Sequence, residues 1–215
     1  MICIIIPVKK LEYTKSRLSS ILNKDQRIRL SLYMLEDLLN VIDIANRNIF
    51  KPIVIGSDQA VKEIADRFDA YFIEDANEGV NEAVRLADDV AKDYDASLVI
   101  PIDLILLEPI DLIMLYDIAE DIDKGVIITP SARLDGTNIL LRKPSSIIDT
   151  YYDMDSYLLH MNKALEDGLD VRILLNTRIT YDLDSIRDLK YAINTNINKK
   201  SILYLNMLKR YVSKS

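Results

Sequence analysis

Cations, carboxylates and hydroxyls recur in this chain just beyond its apolar runs. Lys9, Lys10, Lys15 and Arg17 follow the first run, and Asp103 follows the fourth. Asp135, Gly136, Thr137 and Asn138 come after the run that opens at Val126, and Asp182 and Asp184 close the last. Hard divalent cations take carboxylate oxygens, while Lys and Arg neutralise phosphate. Converging on one edge, these residue types would form a phosphate-plus-metal site. The spacing of Asp182 and Asp184 would put both carboxylates on one face of a strand, within reach of one ion. Each piece alone also has a plainer reading. An Asp after a strand is usually a cap or turn residue. Lys15 and Arg17 fit a solvated loop, the Asp pair a solvated surface, and Gly136-Thr137 an ordinary turn. His160 has no Ser or Cys nucleophile placed beside it and reads as a half-buried helix residue.

Several chemistries are excluded. With one cysteine, Cys3, set among isoleucines, and one histidine, neither a cysteine-based metal site nor a His-rich zinc site can be built. No GxxxxGK[ST] and no GxGxxG follows an apolar run, which argues against a P-loop NTPase and a dinucleotide-binding oxidoreductase. Only 5 glycines are present, so phosphate must be held mainly by side chains. The net charge of −7 argues against a nucleic-acid polymer as partner, because such binders need a basic face. No apolar run approaches the roughly 20 residues of a membrane span, and the short opening run lacks a basic leader. A cytoplasmic protein is the expectation.

The elements that must position these groups alternate. Apolar, β-branched runs predict strands over 2–8, 52–56, 71–73, 97–102, 126–129, 138–141, 171–175 and 179–183. Asn23 and Gln26 are spaced as a capping box ahead of apolar residues at helical period from Ile28 to Ile42. Helices are also expected after Ser57 or Asp58, over 77–91, from Pro109, and over 154–166, 185–193 and 201–212. Strands alternating with helices predict an α/β fold, a three-layer αβα sandwich on a mostly parallel mixed sheet. In such sheets ligands bind beyond the carboxyl ends of the strands, where the polar groups above fall. At 215 residues, with 49% hydrophobic and 28% charged residues and no linker, a single domain is expected over 1–215. The more basic segment 199–215 is either an appended C-terminal helix or, the favoured reading, a surface helix that packs on the sheet.

The same residues carry a resemblance to the 2-phospho-L-lactate guanylyltransferases. The chain matches their motifs in order, as Pro7-Val8-Lys9, Lys15-Ser16-Arg17-Leu18, Met34-Leu35-Glu36-Asp37, Gly56-Ser57-Asp58 and Gly79-Val80-Asn81-Glu82-Ala83. Further on come Pro101-Ile102-Asp103-Leu104, Asp135-Gly136-Thr137-Asn138, Tyr152 to His160 and Asp182-Leu183-Asp184-Ser185. Ile105 and Asp153 depart from the pattern, standing where Pro and Gly are usual. The resemblance implies a nucleotidyltransferase fold of the GT-A type and a magnesium-dependent reaction. GMP from GTP would be joined to the phosphate of 2-phospho-L-lactate, releasing pyrophosphate, in coenzyme F(420) biosynthesis. It implies Lys15, Arg17 and Asp103 as catalytic residues, and Lys9, Lys15, Arg17, Ser57 and Asn81 as nucleotide ligands. Thr137, Asp153 and Ser156 would bind the acceptor, Asp103, Asp182 and Asp184 would hold Mg²⁺, and a homodimer is implied. Alternatives are a transferase for phosphoenolpyruvate or 3-phosphoglycerate, a molybdenum-cofactor-type nucleotidyltransferase, and a non-catalytic nucleotide-binding regulator.

Overall fold

The computed structural model describes residues 1–46, 48–76, 79–152, 155–195 and 197–208. Strand β1 (Ile2–Pro7) is buried along nearly its whole length, and its alternating side chains separate the interior into two layers. Ile2, Ile4 and Ile6 face α1 (Lys24–Asn46), α2 (Gln59–Arg67) and α4 (Pro109–Glu120). Cys3 and Ile5 face α3 (Val80–Ala91) and α5 (Ser156–Glu166). A strand covered on both faces must be apolar at every position, as this run is. Each fully buried Ile contributes roughly 1.5–3 kcal/mol relative to exposure.

The sheet also contains β2 (Phe50–Gly56), β3 (Tyr71–Glu74), β4 (Ala96–Val99), β5 (Gly125–Pro130), β6 (Thr137–Lys143) and β7 (Asp170–Ile173). Its order is β3-β2-β1-β4-β6-β5-β7. Only β6 runs antiparallel to its neighbours, β4 and β5. The parallel strands therefore deliver their carboxyl ends to one edge. Because β6 is reversed, it brings its beginning, Thr137, to that same edge.

Local chemistry sets the ends of the elements. Asn23 and Gln26 exchange bonds at 2.9 Å each, the reciprocal box expected at the head of α1. Pro109 opens α4 inside a second box between Glu108 and Asp111. Asp58 stands at the head of α2 but does not cap it; its carboxylate accepts from the Leu11 amide at 2.9 Å, tying the loop after β1 to α2.

One expected strand is absent. Residues 179–183 alternate like a strand, yet Thr177–Thr180 form a short helix, α6. Asn176 caps it by accepting from the Arg178 amide at 2.9 Å. The Arg178 guanidinium then grips the fully buried Asp111 carboxylate at 2.8 and 2.6 Å, and Asn138 Nδ2 donates to the Ile179 carbonyl. These side-chain bonds hold the segment in a turn. Asp182 and Asp184 thus lie on an irregular stretch leading into α7 (Ile186–Ala192), and the one-face strand geometry does not apply to them.

A third apolar cluster lies beyond the sheet. The last described helix, α8 (Lys200–Met207), packs against α1 and α7. Its Ile202 and Leu205 join Leu18, Ile105, Leu106, Leu183 and Leu189. The expected helix over 201–212 therefore runs over 200–207, and residues 209–215 lie outside the described part of the chain.

Candidate active site

The loop after β1 is anchored by what it buries. Leu11 and Leu18 enter different apolar clusters, and Thr14 Oγ1 lies 2.6 Å from Ser31 Oγ on α1. Between these anchors Lys15 adopts left-handed backbone angles, φ 46° and ψ 41°, at the head of a single helical turn over Ser16–Leu18. That conformation is uncommon for a residue with a Cβ and directs the side chain inward. Lys15 Nζ donates to Asp103 Oδ2 at 2.6 Å, with only 7% of the side chain exposed. Arg17 projects further out and pairs with Asp184.

Asp103 follows β4 on a loop fixed from both sides. Leu104 and Leu107 enter the main core, and Ile105 and Leu106 enter the cluster beneath α8. Lys199 Nζ reaches in from the C-terminal segment to the Ile105 carbonyl at 2.9 Å and also to the Leu107 carbonyl. The Asp103 carbonyl accepts from the Leu183 amide at 3.1 Å, which ties this loop to the segment carrying the other two aspartates. Asp184 is held at the head of α7, where Asp188 Oδ2 accepts from the Asp184 and Ser185 amides.

The three carboxylates act on one another electrostatically. Burial first, then the charges of Asp103 and Asp184, push the Asp182 carboxyl up to about 6, against a smaller pull from Lys15. Among the described residues, no group of three His, Cys, Asp or Glu side chains already encloses an ion position. Asp103 and Asp184 instead face Lys15 and Arg17. Arg133, which the sequence reading passed over, adds another cation, 3.7 Å from Asp184 and 3.3 Å from Asp135. Its loop is closed by Ser131, whose hydroxyl donates to Asp135 and accepts from the Gly136 amide.

At the reversed strand, Ser156 Oγ accepts from the Thr137 amide at 2.8 Å. His160 is fully buried rather than half-buried. Its Nε2 accepts from the Tyr151 amide at 2.9 Å, so the ring proton must sit on Nδ1 and be donated to Thr137 Oγ1, also at 2.9 Å. The Thr137 hydroxyl proton is thereby left to point elsewhere. Burial holds the imidazole neutral, its pKa lowered to about 4. Asn81 accepts from the Tyr152 amide at 2.8 Å, bracing the wall that Tyr152 forms. Asp153 lies outside the described residues.

These groups open onto a cleft of about 710 Å³. Lys9, Lys15, Arg17, Asp103, Thr137 and Asp184 line it; Asn81 and Ser156 stand behind the lining Tyr152 and Thr137, while Ser57 and Asp182 are not part of its lining. Gly79 borders it at φ 109°, a backbone region that side chains disfavour, at the head of α3.

The family described as "Guanylyl transferase CofC like" matches residues 2–215. A phosphoenolpyruvate guanylyltransferase of Roseiflexus sp. (strain RS-1) is 35% identical over 86% of this chain and 82% of its own length. A 2-phospho-L-lactate guanylyltransferase of Methanocaldococcus sp. (strain FS406-22) is 30% identical over 86% of this chain and 78% of its own. Among solved structures, a nucleotide-diphospho-sugar transferase from Desulfovibrio desulfuricans G20 superposes with TM-score 0.79 at 18% identity, covering 99% of this chain and 97% of that one. A cytidylyltransferase from Leptospira borgpetersenii gives TM-score 0.61 at 15% identity, covering 99% and 94%. At such identities these two likenesses speak for the fold alone.

Proposed function

The chain belongs to the CofC-like family of guanylyl transferases, and on that footing we propose that it joins GMP from GTP to the phosphate of 2-phospho-L-lactate, releasing pyrophosphate. Phosphoenolpyruvate is the second acceptor to weigh, because relatives named for it are 35% and 32% identical. The observation that carries the reading is the pairing of Lys15 with Asp103 and Arg17 with Asp184 where three segments meet. A phosphate oxygen can replace a carboxylate as partner of a Lys or Arg at the same hydrogen-bond distance. The pairs thus hold the cations where a triphosphate needs them, and release the carboxylates when it arrives.

The donor set fits magnesium, since Asp103, Asp182 and Asp184 offer only hard oxygens and their mutual repulsion favours a dication among them. When bound, the ion supplies charge neutralisation at the phosphate oxygens. Lys9, Lys15 and Arg17 hold the triphosphate. Ser57 and Asn81 support the nucleotide side of the cleft, Asn81 through the Tyr152 wall. Thr137, aimed by His160, and Ser156 hold the acceptor. An oxygen of the acceptor phosphate forms the new bond to the α-phosphorus, and the bond to the β-phosphate breaks, its electrons leaving with pyrophosphate. A phosphate monoester has its second pKa near 6, so the attacking oxygen is already anionic at neutral pH and needs no side-chain base. Alignment and charge stabilisation are what these residues provide.

The test is pyrophosphate release by purified protein with GTP, magnesium and 2-phospho-L-lactate, with the product mass read by spectrometry. A guanylylated acid is expected. GTP binding without pyrophosphate release for any phosphorylated acid would replace the enzyme with a nucleotide-binding regulator. The reading extends to a homodimer acting in the cytoplasm; sedimentation of the purified protein checks the first of these. Among the described residues no helix is long and apolar enough to cross a membrane.

A further inference from the structure

The topology sets an order along the cleft. From one side to the other, the residues beyond β3, β1, β4 and the start of β6 are Asp75, the Lys9–Arg17 loop, Asp103 and Thr137. Phosphate-binding cations and carboxylates occupy the middle, and Thr137 and Ser156 the far side. Asp75 stands on the near side, two strand spacings or about 10 Å from the strand that carries the lysines. Its amide donates to the Gly56 carbonyl at 3.1 Å, extending the β2–β3 ladder by one residue and fixing the backbone. Asp75 lines the cleft together with Gly79, Val80 and Ala83. Asp75 is only 9% exposed, and its Oδ1 is buried with no hydrogen-bond partner. The other such atoms among the described residues are hydroxyl oxygens.

A carboxylate can only accept, and burying one oxygen without a donor is costly. Among the described residues Asp75 caps no helix, α3 starting from Gly79, and its Oδ1 meets no donor. We propose that Asp75 selects the nucleobase, accepting the N1–H and N2–H of guanine on its two carboxylate oxygens. This rests on the nucleotidyl-transfer reading above. Among the common bases only guanine presents two adjacent donors on that edge. Adenine and cytosine each offer a donor beside a lone pair, which would face a carboxylate oxygen and be repelled. Uracil offers one donor between two carbonyls. The neighbouring Val80 and Ala83 give the flat base an apolar wall.

The test is equilibrium binding, without acceptor, of GTP, ITP, XTP, ATP and CTP to the wild type and to Asp75→Asn and Asp75→Ala, by titration calorimetry. Wild type should prefer GTP over ATP and CTP by at least a hundredfold and bind ITP, which lacks the 2-amino group, less tightly than GTP. Asp75→Ala should lose at least tenfold in GTP affinity and most of the preference. Asp75→Asn is nearly isosteric and should exchange GTP for XTP, because its amide can donate to the xanthine 2-oxygen while accepting from N1–H. A merely structural residue would not reverse base choice. A wild type indifferent to the base, or an Asn variant with unchanged GTP preference, overturns the proposal. Asp75-dependent GTP preference without pyrophosphate release for any acid would sink the transferase reading and leave this inference standing.

Discussion

Lys15 and Asp103 illustrate how much a single contact says about the site. Their pair is largely buried, and because desolvation offsets most of the attraction between two buried charges, such a pair at a cleft speaks for function more than for stability. Lys15→Ala should weaken GTP binding by about 1.5–3 kcal/mol, the scale of a hydrogen bond to a charged group. Calorimetry checks this, and an unchanged affinity would return Lys15 to the role of a loop charge. Asp103→Ala should abolish turnover in a folded protein; retained activity with unaltered magnesium dependence would remove it from the metal site. His160 makes a prediction of opposite kind. Its pKa in the fold is about 4, below the 6.5 of a free imidazole. Between those values the unfolded chain binds a proton that the folded one refuses. The stability contributed is thus full above pH 6.5 and is lost as pH falls to about 4, some 3 kcal/mol in all. Denaturant titrations should show that slope in the wild type and not in His160→Gln. The variant should keep most of its turnover and the same rise of rate with pH through the acceptor's own ionisation. A hundredfold loss of rate in the folded variant would make His160 part of the chemistry.

At the scale of elements, periodicity and caps were plain in the chain, whereas distant side-chain bonds were not. The six apolar residues from Ile2 could only be a strand covered on both faces, and Asn23 with Gln26 marked the head of α1. Ile179, Tyr181 and Leu183 alternate just as a strand would, but Arg178 finds Asp111 from 67 residues away, and no local pattern records that. Asp75 obeys the same rule that flagged Asp103, a carboxylate just after a strand. Only the fold reveals that its oxygen is buried and unmet. The basic run at the C-terminus suggested a surface helix on the sheet, yet Lys199 points inward to the Asp103 loop and α8 lies on α1. Asp37 on α1 accepts the Lys200 and Ser201 amides at 2.9 and 2.8 Å, an N-terminal cap lent to α8 from 163 and 164 residues away. Asp37→Ala should therefore cost about 1–2 kcal/mol, or roughly 2–8 °C in melting temperature for a chain of this size. Amides of α8 should exchange faster with solvent than those of β1. A melting point and exchange pattern like the wild type would show that α8 is held by its apolar face alone.

Across the whole molecule, the order of the strands becomes an order of substrates. On the proposed reading, base, triphosphate and acceptor would lie successively beyond β3, β1 and β6, and the reversal of β6 brings Thr137 to the same edge as the cations. The acceptor must then span a gap with a fixed end. Thr137 is held by His160 and by Ser156, both bonds under 3 Å, and the loop bearing Lys15 is anchored in two apolar clusters. In 2-phospho-L-lactate and in phosphoenolpyruvate the phosphate and the carboxylate sit on neighbouring carbons. In 3-phosphoglycerate one more carbon separates them. A site built to one span should discriminate against the longer acid by roughly 10- to 200-fold, the usual worth of one methylene. The two shorter acids differ only in the geometry at the carbon bearing the phosphate, tetrahedral in one and planar in the other. The expected ranking of kcat/KM with GTP is therefore 2-phospho-L-lactate first, phosphoenolpyruvate second and 3-phosphoglycerate a distant third. Initial rates of pyrophosphate release with each acid at matched magnesium measure it. Thr137→Val should raise KM for the acids and leave GTP affinity unchanged, since it removes the donor at the acceptor end only. A preference for 3-phosphoglycerate, or a Thr137 variant whose defect falls on GTP, would mean that the far side of the cleft holds something other than the acid.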